Sequence, residues 1–251
     1  MRIRPAGAHA LLLDCTAPAD IPEAALVEAW RAELWRRREQ GDLNAVEIVP
    51  AARTVLLDGL PDPSATADLL SRWAPAVTAA AAATERAGVA AGATERDGVA
   101  AGATEDDGVA AGAGGGDTTI GGGHGAEVVV PVEFDGPDLP VVADHWGVDV
   151  PAVLRRLTST RFRVAFCGFA PGFPYLTGLP ADLALPRLPT PRPRVPAGSV
   201  ALAGPYAGIY PSASPGGWLL VGRTDLPLFD VDGDPPARLG PGTRVRMVAT
   251  T

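Results

Sequence analysis

The stretch FCGFAPGFPYLTGLP, Phe166 to Pro180, begins where the alternating run RFRVAF (161–166) ends as a readable strand. Pro171, Pro174, Gly172 and Gly178 stand among Phe166, Phe169, Phe173 and Tyr175, and the stretch carries no charge. Glycine lets a backbone approach a neighbour closely and proline fixes φ while removing a donor, so these residues read as a stiff aromatic loop. Beyond it, SVALAG, GIYP, GWLLVGR and TRVRMVAT are short apolar strands separated by Gly and Pro turns. Few helices and frequent turns predict a mainly-β barrel or sandwich. Upstream of RFRVAF the same half holds a strand, EVVVPVEF, and two short helices, DLPVVADHWG and DVPAVLRRLTS. The second is capped by Asp149, with Pro151 in its first turn. This domain spans residues 126–251.

Residues 79–125 separate it from what precedes. ATERAGVAAG, ATERDGVAAG and ATEDDGVAAG follow one another and run into GGGDTTIGGGHG. Each decapeptide offers one Val and several Ala, too little apolar area to offset the entropy of ordering, so a disordered Ala/Gly-rich repeat linker is expected. His124 at its end reads as solvated rather than as a metal ligand. Residues 1–78 contain a strand, HALLLDC, a helix from Pro22 to Gly41, paired strands AVEIVP and RTVLLDGL, and a short helix, SATADLLSRW, with Ser64 as N-cap. Leu26, Trp30 and Leu34 share one helix face at four-residue spacing and are core candidates. Arg36, Arg37 and Arg38 complement the helix dipole at its C-terminus. The order β-α-β-β-α predicts a small α+β domain, so the fold class is an α+β N-terminal domain followed by a mainly-β domain.

A formal charge of -8 and a pI near 4.9 give no footprint for a phosphodiester backbone, so nucleic acid is not an expected partner. All 21 basic side chains are Arg and Lys is absent. That excludes a Schiff-base lysine, a biotinyl lysine on this chain and a G-x-x-x-x-G-K-[ST] phosphate loop. Cys15 and Cys167 lack a C-x-x-C partner and read as buried thiols, neither a disulfide framework nor a zinc site. The apolar run before Asp14 is too short for a signal peptide and no stretch approaches a membrane span, so a cytoplasmic location is expected. Asp230, Asp232 and Asp234 alternate like a Ca²⁺ loop, but Pro235 and Pro236 interrupt it and no metal site is expected. His145 lies in a helix and reads as structural.

The densest run of constrained backbone is Phe166 to Asp230. Arg192, Arg194 and Arg223 supply permanently charged forks suited to carboxylate or phosphate. Ser199 and Ser214 can donate or accept, the backbone of Gly216 and Gly217 can orient a ligand, and Phe173, Tyr175, Tyr210 and Trp218 can wall off water. No residue is assigned as a general base.

PGFPYLTGLP (171–180), TPRPRVPAGSVALAG (190–204), GIYPSASPGGW (208–218) and GRTDLPLFD (222–230) resemble the family containing the B subunit of 5-oxoprolinase, the kinase inhibitor KipI and allophanate hydrolase subunit 1. The resemblance implies that the C-terminal domain is a cyclophilin-like β-barrel. It implies ATP-driven opening of 5-oxo-L-proline to L-glutamate together with the A and C subunits of that enzyme, the C subunit being similar to allophanate hydrolase subunit 2. It further implies inactivity without those partners, and ATP with Mg²⁺ handled jointly with them. Arg192, Arg194 and Arg223 would clamp carboxylate or phosphate. Two other activities within the family are a KipI-type inhibitor of a histidine kinase and a carboxyltransferase-like subunit of urea or amide metabolism. The chain departs from the family where Leu157 replaces a His, where Ala207 replaces a Thr, and where a Tyr/Gly-rich segment shortens to EFDGPDLP (133–140).

Overall fold

The computed structural model describes residues 1–16, 21–97 and 127–250, with side chains omitted for 87–97. In the first half β1 (Arg2–Pro5), β2 (Leu11–Asp14), α1 (Glu23–Glu39), β3 (Glu47–Pro50), β4 (Thr54–Asp58) and α2 (Pro63–Asp97) follow in order. The strands form an antiparallel sheet, β1-β2-β4-β3. Period-two alternation turns Leu11, Leu13, Val55, Leu57 and Ile48 inward, where they meet Leu26, Trp30 and Leu34 from the predicted stripe of α1. Gly41, at φ +80°, turns the chain out of α1 in a conformation that costs a side-chain-bearing residue more.

Helix α2 differs from expectation at both ends. Its cap is Asp62, whose Oδ1 accepts the Ala65 N–H at 2.9 Å, and not Ser64. It also continues past the expected boundary at 78, so residues 79–97 of the expected linker are helical. Alanine is the best helix former, and here its small side chain is packed: Ala81 is buried and Ala82 half-buried against the same core as Leu70 and Val77. Tertiary contact therefore extends the helix into sequence whose composition reads as linker. The remainder of that segment, with His124, lies outside the described residues.

The second half contains β5 (Glu127–Val132), α3 (Leu139–Trp146), α4 (Val150–Ser159), β6 (Phe162–Cys167), β7 (Pro174–Thr177), β8 (Arg192–Val195), β9 (Ser199–Ala203), β10 (Tyr206–Ile209), β11 (Ser214–Gly216), β12 (Leu219–Arg223) and β13 (Arg244–Ala249). Seven strands form one sheet, β12-β9-β10-β7-β6-β13-β5, antiparallel except for β13 with β5. Its ends meet: Glu133 and Arg223 exchange backbone hydrogen bonds of 2.9 Å, and the sheet becomes a nearly closed barrel. Val130, Val164, Leu176, Val200, Leu202, Ile209, Val221 and Met247 fill its inner side, joined by Val142 of α3 and Val153 and Leu157 of α4. Asp149 caps α4 by accepting the Ala152 N–H at 2.7 Å, as predicted.

Two segments expected as loops are strands. PYLT within the opening stretch is β7 at the centre of the sheet, and RPRV is β8, paired with β11 in a separate two-stranded ribbon. The halves are tied through Glu28 of α1, which accepts Arg163 of β6 at 2.9 Å and Arg31 through two bonds of 2.8 Å. No described helix is long and apolar enough to cross a membrane.

Candidate functional site

The outer side of the barrel sheet carries the site. In β6, Arg163 pairs with Thr177 and Val164 with Leu176, but Phe166 pairs with Tyr175, leaving Ala165 as an extra residue. A bulge of this kind re-aims the side chain that follows it. Phe166, which strict alternation would send inward, faces outward and stacks on Tyr175 at 4.3 Å. Phe173 sits next to Tyr175 and Trp218 beyond it, with centroids 5.1 Å and 5.5 Å from the Tyr175 ring. Tyr210 meets Phe173 edge-on at 5.1 Å and Tyr206 meets Tyr175 edge-on at 5.6 Å. Such tilted and edge-on pairs contribute roughly 0.5–1.5 kcal/mol each beyond area burial.

Small residues make room for the rings. A Cβ on Gly208 would lie 2.9 Å from both Phe173 and Trp218, while Ala201 and Ala203 of β9 floor the cluster. The ribbon closes it from above through the buried Val195. The result is a shelf, with Phe166, Phe173, Tyr210 and Trp218 buried and Tyr175 and Tyr206 half-buried at its open side. Phe169, at φ +71°, stands 62% exposed at the tip of the loop and packs edge-on against Phe173. A cavity of about 10 Å³ at the seam with the N-terminal half is lined by Ala24, Glu28, Ala165, Phe166 and Tyr206 among others, room for roughly one water.

Burial raises the hydroxyl pKa of Tyr175, Tyr206 and Tyr210. Glu23 of α1 pushes Tyr206 further up, while the positive charge of Arg187 is felt at both Tyr175 and Tyr210 and opposes their shift. These tyrosines are therefore neutral donors at neutral pH. Arg187 lies in a segment anchored by Leu188, whose N–H bonds the Gly217 carbonyl at 2.7 Å.

The structure brings together Phe173, Tyr175, Tyr210 and Trp218, and sorts the polar candidates differently. Arg192 is committed to the fold: its Nη2 donates to Asp138 at 2.7 Å and its Nη1 to the Trp218 carbonyl at 3.3 Å. Asp138, 6% exposed, also accepts the Leu220 N–H at 2.6 Å. Arg223 stands five residues from Trp218 near the far end of β12, roughly 16 Å along a strand. There it pairs with Glu133 at 2.6 Å and Asp135 at 3.3 Å. Arg194 is exposed on the ribbon, next to the inward-facing Val195. The three arginines thus do not converge. Ser199 is buried in β9, opposite Arg223. Gly217 accepts the Leu188 N–H through its carbonyl, and a side chain on Gly216 would collide with the Tyr210 hydroxyl, so Gly216 serves packing. Ser214 lies two residues from Gly216 and opposite Val195, so its Oγ is aimed beneath the ribbon, buried and without a hydrogen-bond partner among the described residues. An unsatisfied hydroxyl of this kind costs about 1–3 kcal/mol.

Leu157 is fully buried in the inner core, and Ala207, also fully buried, belongs to the same core. His145 is exposed on α3. Among the described residues no group of three His, Cys, Asp or Glu side chains is placed to hold a metal. Sequence reasoning missed Asp138 and Tyr206. No periodicity marks them, because each acquires its role from a strand or helix distant in sequence.

Residues 115–239 match the family described as carboxyltransferase domain, subdomain C and D. This part of the chain is similar to that family. The B subunit of 5-oxoprolinase from Escherichia coli O157:H7 is 49% identical over 124 residues, covering 48% of this chain and 57% of that one. The corresponding 5-oxoprolinase B subunit of Bacillus subtilis (strain 168) is 44% identical over 113 residues, 45% of this chain and 47% of that one. The chain thus spans about half the length of the curated relatives it matches. Among solved structures, TTHA0988 superposes with a TM-score of 0.63 at 29% identity over 97% of this chain and 40% of that one.

Proposed function

We propose that the chain acts as the B subunit of an ATP-dependent 5-oxoprolinase, opening 5-oxo-L-proline to L-glutamate with the A and C subunits, and that it is inactive alone. The observation that carries this is the 49% identity over 124 residues to a protein named as the B subunit of 5-oxoprolinase, beside a family match over residues 115–239, the half bearing the aromatic shelf. The barrel is read as cyclophilin-like, with its shelf facing the ligand.

A lactam is stabilised by resonance, so water opens it slowly. Transfer of a phosphoryl group from ATP, carried with Mg²⁺, to the lactam oxygen would make the ring carbon electrophilic. The enzyme's part in such a step is positioning and charge neutralisation. The aromatic shelf suits the apolar face of a five-membered ring and excludes water. No residue on the shelf is a general base at neutral pH, because its hydroxyls are held protonated by burial. A base from a partner protein accounts for the dependence on the complex.

The test is to co-purify the chain with homologues of the A and C subunits and measure glutamate release from 5-oxoproline with and without ATP. ATP-dependent release by the complex, and none from the chain alone, is expected. An inert complete complex overturns the proposal.

A further inference from the structure

The loop that leaves β6 ends the shelf at an exposed corner. The Ala170 N–H bonds the Gly168 carbonyl at 2.8 Å, closing a three-residue turn whose central residue, Phe169, sits at φ +71°. Three-residue turns with a positive central φ are the rare, strained kind. Among the described residues Phe169 is the one non-glycine at positive φ, and the turn holds its ring 62% exposed. Strain and exposed aromatic surface at one residue point to a contact that the residue serves. A second loop lies against the first. A Cβ on Gly172 would fall 2.6 Å from the Cβ of Phe229, so that side chain rests on the Gly172 backbone. Phe229 is still 39% exposed, and Val231, two positions on, is 78% exposed. The Asp230 N–H bonds the Pro236 carbonyl at 2.9 Å and the Asp230 Oδ1 accepts the Asp232 N–H at 3.1 Å, so the turn bearing Val231 is braced at its base and its tip. Of the six phenylalanines only Phe169 and Phe229 are exposed, and the interlocked loops place both beside Gly172.

The second loop also carries charge of one sign. Asp225, Asp230, Asp232 and Asp234 are all exposed, and no basic residue occurs from 224 to 237. Arg223 and Arg238 flank the run, and Arg223 is held by Glu133 and Asp135. An apolar centre with a charged rim is the anatomy of a protein interface. Two copies of this corner would repel through their aspartates, so the rim selects a different protein of opposite charge. We propose that the corner is the docking surface for a partner protein that presents an apolar recess bordered by Lys and Arg, with Phe169 and Val231 entering the recess. Phe169 meets Phe173 edge-on at 5.3 Å and Tyr210 at 6.2 Å, so a protein seated on it lies one ring from the interior of the shelf. From there it can contribute the base that the shelf lacks. That the partner is a subunit of the oxoprolinase complex rests on the function proposed above, whereas the surface itself does not.

The experiment immobilises the full-length chain and measures its binding to purified homologues of the A and C subunits, one at a time, by interferometry, with glutamate release from the mixture assayed in parallel. One homologue should bind the parent. Phe169→Gly should weaken that binding roughly tenfold or more and Val231→Ser about threefold. Phe169→Gly keeps the turn, because glycine takes a positive φ without penalty, and Val231 is too exposed to matter to the fold. Asp232→Asn combined with Asp234→Asn should slow association and flatten its salt dependence. Val129→Ser should change nothing: Val129 is also exposed, but its partner Arg246 lies beyond the pairing of Arg244 with Arg163, level with the start of β6 and away from the loop. If the Phe169 and Val231 variants bind as the parent does while the complex releases glutamate, the surface is overturned and the oxoprolinase reading stands. If binding depends on the corner but no glutamate appears, the surface stands and that reading falls. If the parent binds neither homologue, or if it pairs with itself through Phe169, the proposal is overturned.

Discussion

The inner and outer sides of the barrel sheet are built from the same strands and solve different problems. Along β9, Val200 and Leu202 point inward and Ala201 and Ala203 outward, so a single alternation feeds both. The inner side is almost wholly aliphatic and is held by close packing. The outer side stacks rings over small residues and is held down by a polar latch, in which Asp138 joins Arg192 of β8 to the Leu220 N–H of β12. Packing tolerates small adjustments, whereas a buried ion pair fails when one partner is removed. The face proposed to meet ligand is thus the one whose cover depends on a few specific polar bonds.

That contrast makes Asp138→Ala the most damaging change. It would leave the half-buried Arg192 unpaired and the Leu220 N–H unsatisfied, at a cost of about 3–5 kcal/mol. Urea unfolding checks it against Leu176→Ala on the inner side, expected to cost roughly 2–5 kcal/mol through cavity formation. An Asp138→Ala loss under about 1 kcal/mol would show that the ribbon is held by apolar contact alone.

Gly208→Ala tests the outer side by overfilling it. The added Cβ, 2.9 Å from Phe173 and Trp218, should cost roughly 1–3 kcal/mol and shift tryptophan emission. An unchanged spectrum and stability would mean that the rings move freely.

Much of this division is legible in the sequence. Alternating Val and Leu mark the strands, and Gly and Pro mark the turns. Composition alone names the aromatic cluster, and Phe173, Tyr175, Tyr210 and Trp218 do converge. Strand β7 escapes a sequence reading because two prolines and two glycines surround PYLT, and only neighbours on both sides make it a strand. The bulge at Ala165 has no local signature. The polar candidates are misread for one reason: an exposed charge and a latch look identical until the partner is known, and Asp138 lies 54 positions from Arg192. In α2 the competing principle is tertiary packing of alanine, which composition treats as linker.

The inner side also hides an ionisable group. Cys167 packs against the inner core, its Sγ–H donates to the Leu239 carbonyl at 3.2 Å, and burial pushes its pKa from 9.0 to about 11. A thiol whose folded pKa is raised stabilises the fold below pH 9 and loses that contribution as pH rises from 9 to 11, because the unfolded chain ionises first. The loss should be on the order of 1 kcal/mol, reduced by partial exposure, and absent in Cys167→Ala. Equal alkaline sensitivity of the two proteins would place the effect elsewhere, with Cys15, raised to about 12, the next group to replace.

Arg223→Gln should have the smallest effect, although Arg223 makes as many charged contacts as any residue on the outer side. Its pairs with Glu133 and Asp135 lie in solvent, where screening and side-chain entropy leave little net stabilisation. The closing hydrogen bonds between Glu133 and Arg223 are backbone bonds and survive the substitution. Barrel closure should therefore persist, and about 0.5 M salt should reproduce most of the change in the parent protein. Arg192→Gln, by contrast, should be nearly insensitive to salt, since its partner is buried. Salt titration of the two variants side by side separates a rim charge from a latch without any ligand present, and similar salt responses would remove the distinction between them.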